Sequence, residues 1–458
     1  MFEEVMKQFE QQAPVSVMAR VALQGALGPQ WVDEVFAAHR QRQYPRELLF
    51  STVVELMTQV SLGLSPSLHA AATKSMDLPV SLAALYEKVR RTEPAILRAL
   101  IQGSAQRLEP VLSAWPVTPS VPGWRVRILD GNHLPASEKR LTVLREQRGA
   151  ALPGHALVVY EPDLGLVTDL VAIEDAHAQE RSAMAPLLEC AGPGELWLAD
   201  RNFCTGTILP GWHQAGACFI VREHASNGPQ LAGRGPWVEC GRIETGQVRE
   251  QRIELKSMQA SWRRIELTLD NPTDAGDTVI RLWTNLPDEV DAHEIARLYR
   301  KRWRIEGMFQ RLESVLNSEV RSLGHPRAAL LAFAVAVLAY NVLAVLKRSV
   351  ETAHTTAGST ETSPPDVSTY YLALDVRGQY EGMLIALPAQ HWSHWSETTP
   401  ALIASKLIEL AARVDPVRVR TRKRGPKINK PTAYVDGETA RSHHSTARLL
   451  KRAQPKES

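Results

Sequence analysis

The sequence is poor in cysteine, with four in 458 residues and no Cys-x-x-Cys pair among them. This pattern argues against a disulfide framework and against a zinc ribbon, and it fits a protein of the reducing cytoplasm. The first ten residues lack the basic region and the apolar stretch of a secretory signal, so we expect a cytoplasmic protein. No segment repeats along the chain.

Long apolar runs are also scarce. The one candidate covers residues 328–346, which are apolar except for Tyr340 and Asn341 and are just numerous enough to span a membrane. The run stands alone, is rich in alanine and directly follows a charged helix, and the mean hydropathy of the chain is −0.20. We therefore predict a helix buried inside a large domain and no membrane contact. Recovery of the protein in the soluble fraction without detergent would exclude the membrane alternative.

The composition is that of a folded protein, because 44% of the residues are hydrophobic and 22% are charged. A chain of this length buries a sizeable core and is expected to form more than one domain. The formal net charge is +3, but residues 417–458 carry 12 Lys and Arg against 3 Asp and Glu. Such a basic segment favours phosphate backbones through counterion release, although a solvated tail has the same composition.

Hydrophobic periodicity divides the chain into regions. Residues 1–120 have helical patterns, which predict either a simple helical subdomain or a helical region that binds DNA ends. Alternation then predicts a strand over residues 124–130 and a hairpin from residues 156–160 and 166–173. A helical pattern over residues 178–190 precedes the apolar run 196–200, which we expect to lie inside a sheet and parallel to an earlier strand. These alternating elements indicate an α/β fold.

The second half of the chain contains a β-rich stretch between helical segments. Residues 227–277 are Gly-rich and alternating, typical of an inserted β subdomain, and residues 278–283 return to an apolar strand. A long helix is predicted from Asp291 to about Asn317. The remaining predicted regions are a linker (351–369), a helical C-terminal region (370–416) and a basic tail (417–458).

Two aspartates end predicted strands, namely Asp130 and Asp200. Carboxylates at the ends of neighbouring strands converge on one point, and hard oxygen ligands suit Mg²⁺. A third acid, Glu306, lies on the long helix, where Tyr299, Arg302 and Glu306 have the spacing of one helix face. Taken singly, each aspartate is also typical of a turn, and Glu306 of a surface ion pair.

In combination, Asp130 in Asp-Gly-Asn, Asp200 in Ala-Asp-Arg-Asn-Phe, and Tyr299-x-x-Arg302-x-x-x-Glu306 resemble bacterial Asp-Asp-Glu (DDE) insertion-sequence transposases with a Tyr-Arg-Glu-Lys signature. The resemblance covers about residues 124–341. It implies a ribonuclease H-like mixed-sheet catalytic domain, formed by residues 121–226 and 278–350 around the β-rich insertion.

The resemblance also implies an activity and its residues. Asp130, Asp200 and Glu306 would be both the catalytic residues and the ligands of two Mg²⁺ ions, which Mn²⁺ replaces, for cleavage of the element's ends and their transfer to target DNA. The residues expected to contact DNA are Tyr299, Arg302, Trp303 and Arg304. The partners would be double-stranded DNA and a second copy of the chain, as a homodimer in a synaptic complex at the nucleoid.

One position departs from the signature. The family lysine falls at position 313, where this chain has Glu313. A glutamate there would repel a DNA phosphate, and Arg311 or Lys301 would have to replace the lysine. Two alternatives therefore stay open: a non-mobile nuclease with the same fold, and a catalytically inactive DNA-binding regulator.

Overall fold

The computed structural model describes residues 2–43, 47–75, 78–256, 258, 260–273, 275–356, 366–422 and 443–454. The helices are α1 (Phe2–Gln12), α2 (Pro14–Ala26), α3 (Pro29–His39), α4 (Phe50–Ser61), α5 (Leu68–Lys74), α6 (Leu82–Arg91), α7 (Pro94–Ser113), α8 (Thr142–Arg145), α9 (Ala185–Cys190), α10 (Ile208–Gln214), α11 (Ala292–Arg300), α12 (Arg304–Val315), α13 (Pro326–Thr356), α14 (Thr369–Ala386), α15 (Pro400–Ala411) and α16 (Thr446–Ala453). The strands are β1 (Arg125–His133), β2 (Ala150–Leu152), β3 (His155–Glu161), β4 (Leu166–Ile173), β5 (Glu195–Ala199), β6 (Cys218–Arg222), β7 (Leu231–Ile243), β8 (Gly246–Leu255), β9 (Ser261–Leu269), β10 (Val279–Thr284) and β11 (His443–Ser445).

Nine of these strands form one mixed sheet in the order β4-β3-β1-β5-β6-β10-β9-β8-β7. The pairs β1–β5 and β5–β6 are parallel, whereas the other neighbouring pairs are antiparallel. Helices cover the sheet, and the predicted α/β, ribonuclease H-like fold class is confirmed. The expected parallel placement of the apolar strand at residues 196–200 is also observed, because β5 lies beside β1.

The predicted hairpin at residues 156–173 is formed by β3 and β4. β3 is buried throughout, which explains its continuous apolar sequence. The turn contains Gly165 at φ +75°, a left-handed conformation that favours glycine. β4 is the edge strand of the sheet, and α7 from the N-terminal region packs against it.

Strands β7, β8 and β9 come from the predicted β-rich insertion. They do not form a separate sheet, since β9 pairs with β10 and so extends the nine-stranded sheet outward. The insertion therefore widens the sheet on the side away from the β3–β4 hairpin.

The apolar run at residues 328–346 lies in α13, a helix long and apolar enough to cross a membrane. It is almost entirely buried by the surrounding protein, with α7, α15, α2 and α4 packed around it. The prediction of a core helix is confirmed. Because α7 also packs on β4, the apolar core is continuous from the N-terminal helices to the sheet.

Three local predictions need correction. The strand predicted to end at Asp130 continues through Gly131 and Asn132 to His133, because β3 pairs with β1 over that stretch. The predicted helix at residues 178–190 is a 3₁₀ turn (Glu180–Ala183) followed by α9, which begins near a proline suited to a first helical turn. The long helix from Asp291 is interrupted by a 3₁₀ turn (Lys301–Trp303), where the Lys301 N–H bonds the Leu298 carbonyl and tightens the backbone.

Parts of two predicted regions lie outside the described residues, namely 357–365 of the linker and 423–442 and 455–458 of the basic tail. Of the described tail, β11 pairs in parallel with β2, and Arg448 on α16 forms an ion pair with Asp175. This part of the tail therefore packs against β2 and the segment that follows β4.

Candidate active site

The first two acids stand at the carboxyl end of the parallel strand pair. Pairing between β1 and β5 ends at Ile128 and Leu198, so Asp130 lies just beyond the paired stretch and Asp200 directly follows β5. Asp130 Oδ1 accepts a hydrogen bond from the Gly131 N–H at 2.9 Å. Asp200 Oδ1 accepts one from the Asn202 N–H at 2.8 Å. The backbone thus fixes one oxygen of each carboxylate.

The third acid, Glu306, is connected to Asp130 by an arginine side chain. Glu306 lies in the first turn of α12, one helical turn after Arg302. The Arg302 guanidinium donates to Asp130 Oδ2 at 2.8 Å and to Glu306 Oε1 at 3.3 Å. Only 11% of the Arg302 side chain is exposed, so this link between strand and helix is well shielded from solvent.

The pKa values of Asp130, Arg302 and Tyr299 are shifted by burial and by the charges of their neighbours. Burial raises the pKa of Asp130 to about 6, Arg302 opposes the rise, and the charge of Asp200 adds to it. Burial disfavours the charged form of Arg302, but its acidic neighbours Asp130, Asp200 and Glu306, together with Tyr299, raise its pKa. Burial also raises the pKa of Tyr299 to about 12, with Arg302 opposing and Asp200 adding to the rise. The Arg302 guanidinium thus bonds Asp130 and Glu306 directly, and the charges of Tyr299 and Asp200 also act on it.

A fourth carboxylate, which the sequence reasoning missed, borders the cluster. Glu180 Oε2 accepts a hydrogen bond from Asn202 Nδ2 at 2.7 Å. The Glu180 carboxylate also lies where a Cβ atom on residue 131 would project. Because Gly131 has no Cβ atom, the carboxylate can occupy that space. Its charge contributes to the raised pKa of Asp130. Nothing in the local sequence marks Glu180, because it falls in a segment with a helical pattern and no motif.

The predicted DNA-contacting residues have different environments. Tyr299 is buried and faces Arg302, and Arg302 itself is engaged with carboxylates. Trp303 is 62% exposed, which leaves its ring open to solvent beside the site. Arg304 is also exposed and lines a cavity with Arg311, Lys347 and Arg348 that none of the three acids lines.

The donor set has the right chemistry for a divalent cation, since carboxylate oxygens are the preferred ligands of Mg²⁺. Asp130 is half-buried beside Asp200, and since burial and the charge of Asp200 raise its pKa, a neighbouring positive charge would favour its ionised form. In the part of the chain that the structure describes, however, no three His, Cys, Asp or Glu side chains are grouped closely enough to hold a metal ion. The positive charge among these acids comes from Arg302. The side chains fit the cation chemically and would have to close around it.

A ribonuclease H-like sheet with acids at the ends of its parallel strands and on a following helix defines a class of nucleic-acid-processing domains. Residues 123–342 match the family model of the transposase DDE domain. This match supports a transposase DDE domain over these residues, a type of domain found in metal-dependent enzymes that act on nucleic acid. No curated protein matches the chain.

Proposed function

We propose that the protein is the transposase of an insertion sequence, and that it cleaves the ends of its own element and joins them to target DNA. The observation that carries this proposal is the convergence of Asp130, Asp200 and Glu306 around Arg302 at the carboxyl edge of the sheet. The Tyr-Arg-Glu part of the signature, from Tyr299 to Glu306, supports the assignment to insertion-sequence enzymes.

Asp130, Asp200 and Glu306 are the residues that would hold Mg²⁺ or Mn²⁺. Two such ions supply, when bound, activation of an attacking oxygen and charge stabilisation of the leaving oxygen in a displacement at phosphorus. The strand ends hold Asp130 and Asp200 beside each other, and the Arg302 guanidinium connects Asp130 to Glu306 on α12. Tyr299 is buried and only 11% of the Arg302 side chain is exposed, so these two groups are shielded from water.

The neighbouring side chains would bind the substrate backbone. Arg302 has the fork geometry that pairs with phosphate, and movement away from Asp130 would free it for a phosphate near the cut. Trp303, with its exposed ring, is suited to pack against DNA. Arg304 would contact a phosphate farther along the duplex. The substrate is double-stranded DNA, bound at both ends by a homodimer in the nucleoid.

The alternative of an inactive DNA-binding regulator draws support from Glu313, which is exposed on α12 where the family has lysine. The non-mobile nuclease shares every residue of the site. Inverted repeats that flank the gene, bounded by direct repeats of target sequence, would favour the transposase over the nuclease. Cleavage in vitro would separate both enzymes from the regulator.

The test incubates purified full-length protein with linear duplexes that carry the DNA flanking both sides of its gene, with and without Mg²⁺, and maps the nicks. Asp200→Asn is expected to abolish cleavage and to leave DNA binding intact, because it removes the charge of the side chain without changing the shape of that side chain. Asp415→Asn, an exposed site far along the chain, is the matched control and should cut like the wild type. Full Mg²⁺-dependent cutting by Asp200→Asn would overturn the assignment.

A further inference from the structure

Glu180 lies between the two strand ends that bear the aspartates, although it belongs to neither strand. It opens the 3₁₀ turn (Glu180–Ala183) on the segment that follows β4. From there its two carboxylate oxygens face different elements. Oε2 bonds the side chain of Asn202, and Oε1 lies against the backbone of Gly131.

The contact with Asn202 connects Glu180 to the second aspartate. Asn202 belongs to the 3₁₀ turn (Arg201–Phe203) that Asp200 caps, and its backbone N–H donates to Asp200 Oδ1 at 2.8 Å. Its side-chain amide donates to Glu180 at 2.7 Å. One residue therefore holds Asp200 through its backbone and Glu180 through its side chain, and the Asp200 loop is tied to the segment after β4.

The contact with Gly131 connects Glu180 to the first aspartate. Gly131 directly follows Asp130 on β1 and has β-strand neighbours on both sides in the chain. A Cβ atom at this position would overlap the Glu180 carboxylate, so only glycine lets the carboxylate approach. The acid is thus close enough for its charge to act on Asp130.

We propose that Glu180 is a positioning residue of the acidic site: it fixes the Asp200 loop through Asn202 and adds negative charge beside Asp130, and so increases the affinity of the site for a divalent cation. This inference rests on the proposed function, since it takes Asp130 and Asp200 as cation ligands. Residues behind metal ligands commonly change metal affinity by about 10- to 100-fold when mutated.

Three variants separate the two contributions. Glu180→Gln keeps an oxygen that accepts from Asn202 but removes the charge. Asn202→Ala keeps the charge but cuts the link to the Asp200 loop. Gly131→Ala keeps both Glu180 and Asn202, but its Cβ atom takes the space of the Glu180 carboxylate and forces that carboxylate to move. Glu189→Gln, an exposed glutamate on α9, is the matched control.

The experiment measures Mn²⁺ binding to the full chain without DNA, by electron paramagnetic resonance of the free ion, together with the thermal unfolding midpoint. Glu180→Gln is expected to raise the dissociation constant for Mn²⁺ by about tenfold and to leave the midpoint within about 2 °C of wild type. Gly131→Ala is expected to weaken binding similarly. The double variant Glu180→Gln/Gly131→Ala should then bind Mn²⁺ no more weakly than the weaker-binding of the two single variants, because both changes remove the same carboxylate from the site.

Asp200→Asn is measured beside them. If Asp200→Asn loses Mn²⁺ binding while Glu180→Gln and Gly131→Ala bind as tightly as wild type, the role of Glu180 is wrong and the proposed function stands. If Asp200→Asn itself binds Mn²⁺ like wild type, the acidic site is wrongly assigned and the proposed function fails. If Glu180→Gln loses no more Mn²⁺ affinity than the control Glu189→Gln, the inference is also overturned.

Discussion

The Arg302 guanidinium donates a hydrogen bond to Asp130 Oδ2 over 2.8 Å, inside a cluster that also contains Glu306 and Asp200. A buried carboxylate next to a second one is unfavourable without a counter-charge, and Arg302 supplies it. The cation that the site is expected to bind would compete with this guanidinium for the same oxygen atoms. Binding of the metal and release of Arg302 toward a phosphate would then be coupled.

Arg302→Met tests this competition. The variant is expected to bind Mn²⁺ about tenfold more tightly in the absence of DNA, because a charge-assisted hydrogen bond worth roughly 1.5 kcal/mol no longer has to be broken. DNA cleavage should fall, since the same side chain is proposed to contact phosphate. Isothermal titration with Mn²⁺ measures the affinity, and exposed Arg304→Met is the control. Unchanged or weaker Mn²⁺ binding would show that Arg302 does not compete.

Glu313→Lys restores the residue type of the signature. Glu313 is exposed, and its charge adds to the effect of burial in raising the pKa of Glu319. We expect tighter DNA binding, and a plot of log affinity against log salt that is steeper by about one unit, since one more phosphate is neutralised. Fluorescence anisotropy with a labelled duplex at several salt concentrations measures both. Glu397→Lys, exposed before α15, is the control, and an equal effect in both variants would mean that position 313 is not special.

Much of the site was predictable from strand periodicity. The alternating stretch before Asp130 and the apolar run before Asp200 predict strands, and a parallel pairing brings their ends together. The i, i+4 spacing of Arg302 and Glu306 also holds, because the helix resumes at Arg304. These features depend on local sequence and on a general rule of sheet topology.

The remaining features depend on tertiary contacts that leave no local pattern. Glu180 belongs to an irregular segment, and its place over Gly131 follows from how that segment packs on β1. The hydrogen bond between Arg302 and Asp130 depends on how the helix packs near β1, whereas contact of Arg302 with DNA stays a prediction. The extension of the catalytic sheet by β7–β9 required knowledge of the β9–β10 pairing.

A pH effect on stability is expected from His155 on β3. This residue is fully buried, neither ring nitrogen has a hydrogen-bond partner in the described part of the chain, and the ring stacks on His133 with centroids 4.7 Å apart. Burial, aided by His133, lowers its pKa to about 4. The unfolded chain takes up this proton near pH 6.5 and the folded protein only near pH 4. Stability is therefore lost as the pH falls through this interval.

His155→Phe should reduce that loss. Between pH 7 and pH 5 the wild type is expected to lose about 2 kcal/mol of unfolding free energy from this residue, and the variant none. Denaturant unfolding at the two pH values measures the difference, with His394→Phe, an exposed histidine, as control. Equal pH dependence in wild type and His155→Phe would mean that His155 is protonated as easily in the folded protein as in the unfolded chain.

The last prediction concerns Asn341, the buried polar residue in the middle of α13. Its Oδ1 accepts from the Val167 N–H and its Nδ2 donates to the Val167 carbonyl, both at 2.8 Å. Val167 lies on edge strand β4, so Asn341 satisfies backbone groups that the sheet leaves open.

Asn341→Leu would leave both backbone groups buried and unpaired, at a cost of ~1–3 kcal/mol each, so we expect a loss of about 2–6 kcal/mol in unfolding free energy. Ser349→Ala is the matched control on the same helix, because among the described residues the buried Ser349 hydroxyl bonds the Leu346 carbonyl of α13 and no other group. Removal of the Ser349 hydroxyl should lower the unfolding free energy far less than Asn341→Leu does. If denaturant unfolding gives the same midpoint for both variants, Asn341 does not hold the edge strand to the core helix, and the polar interruption of the apolar run needs another cause.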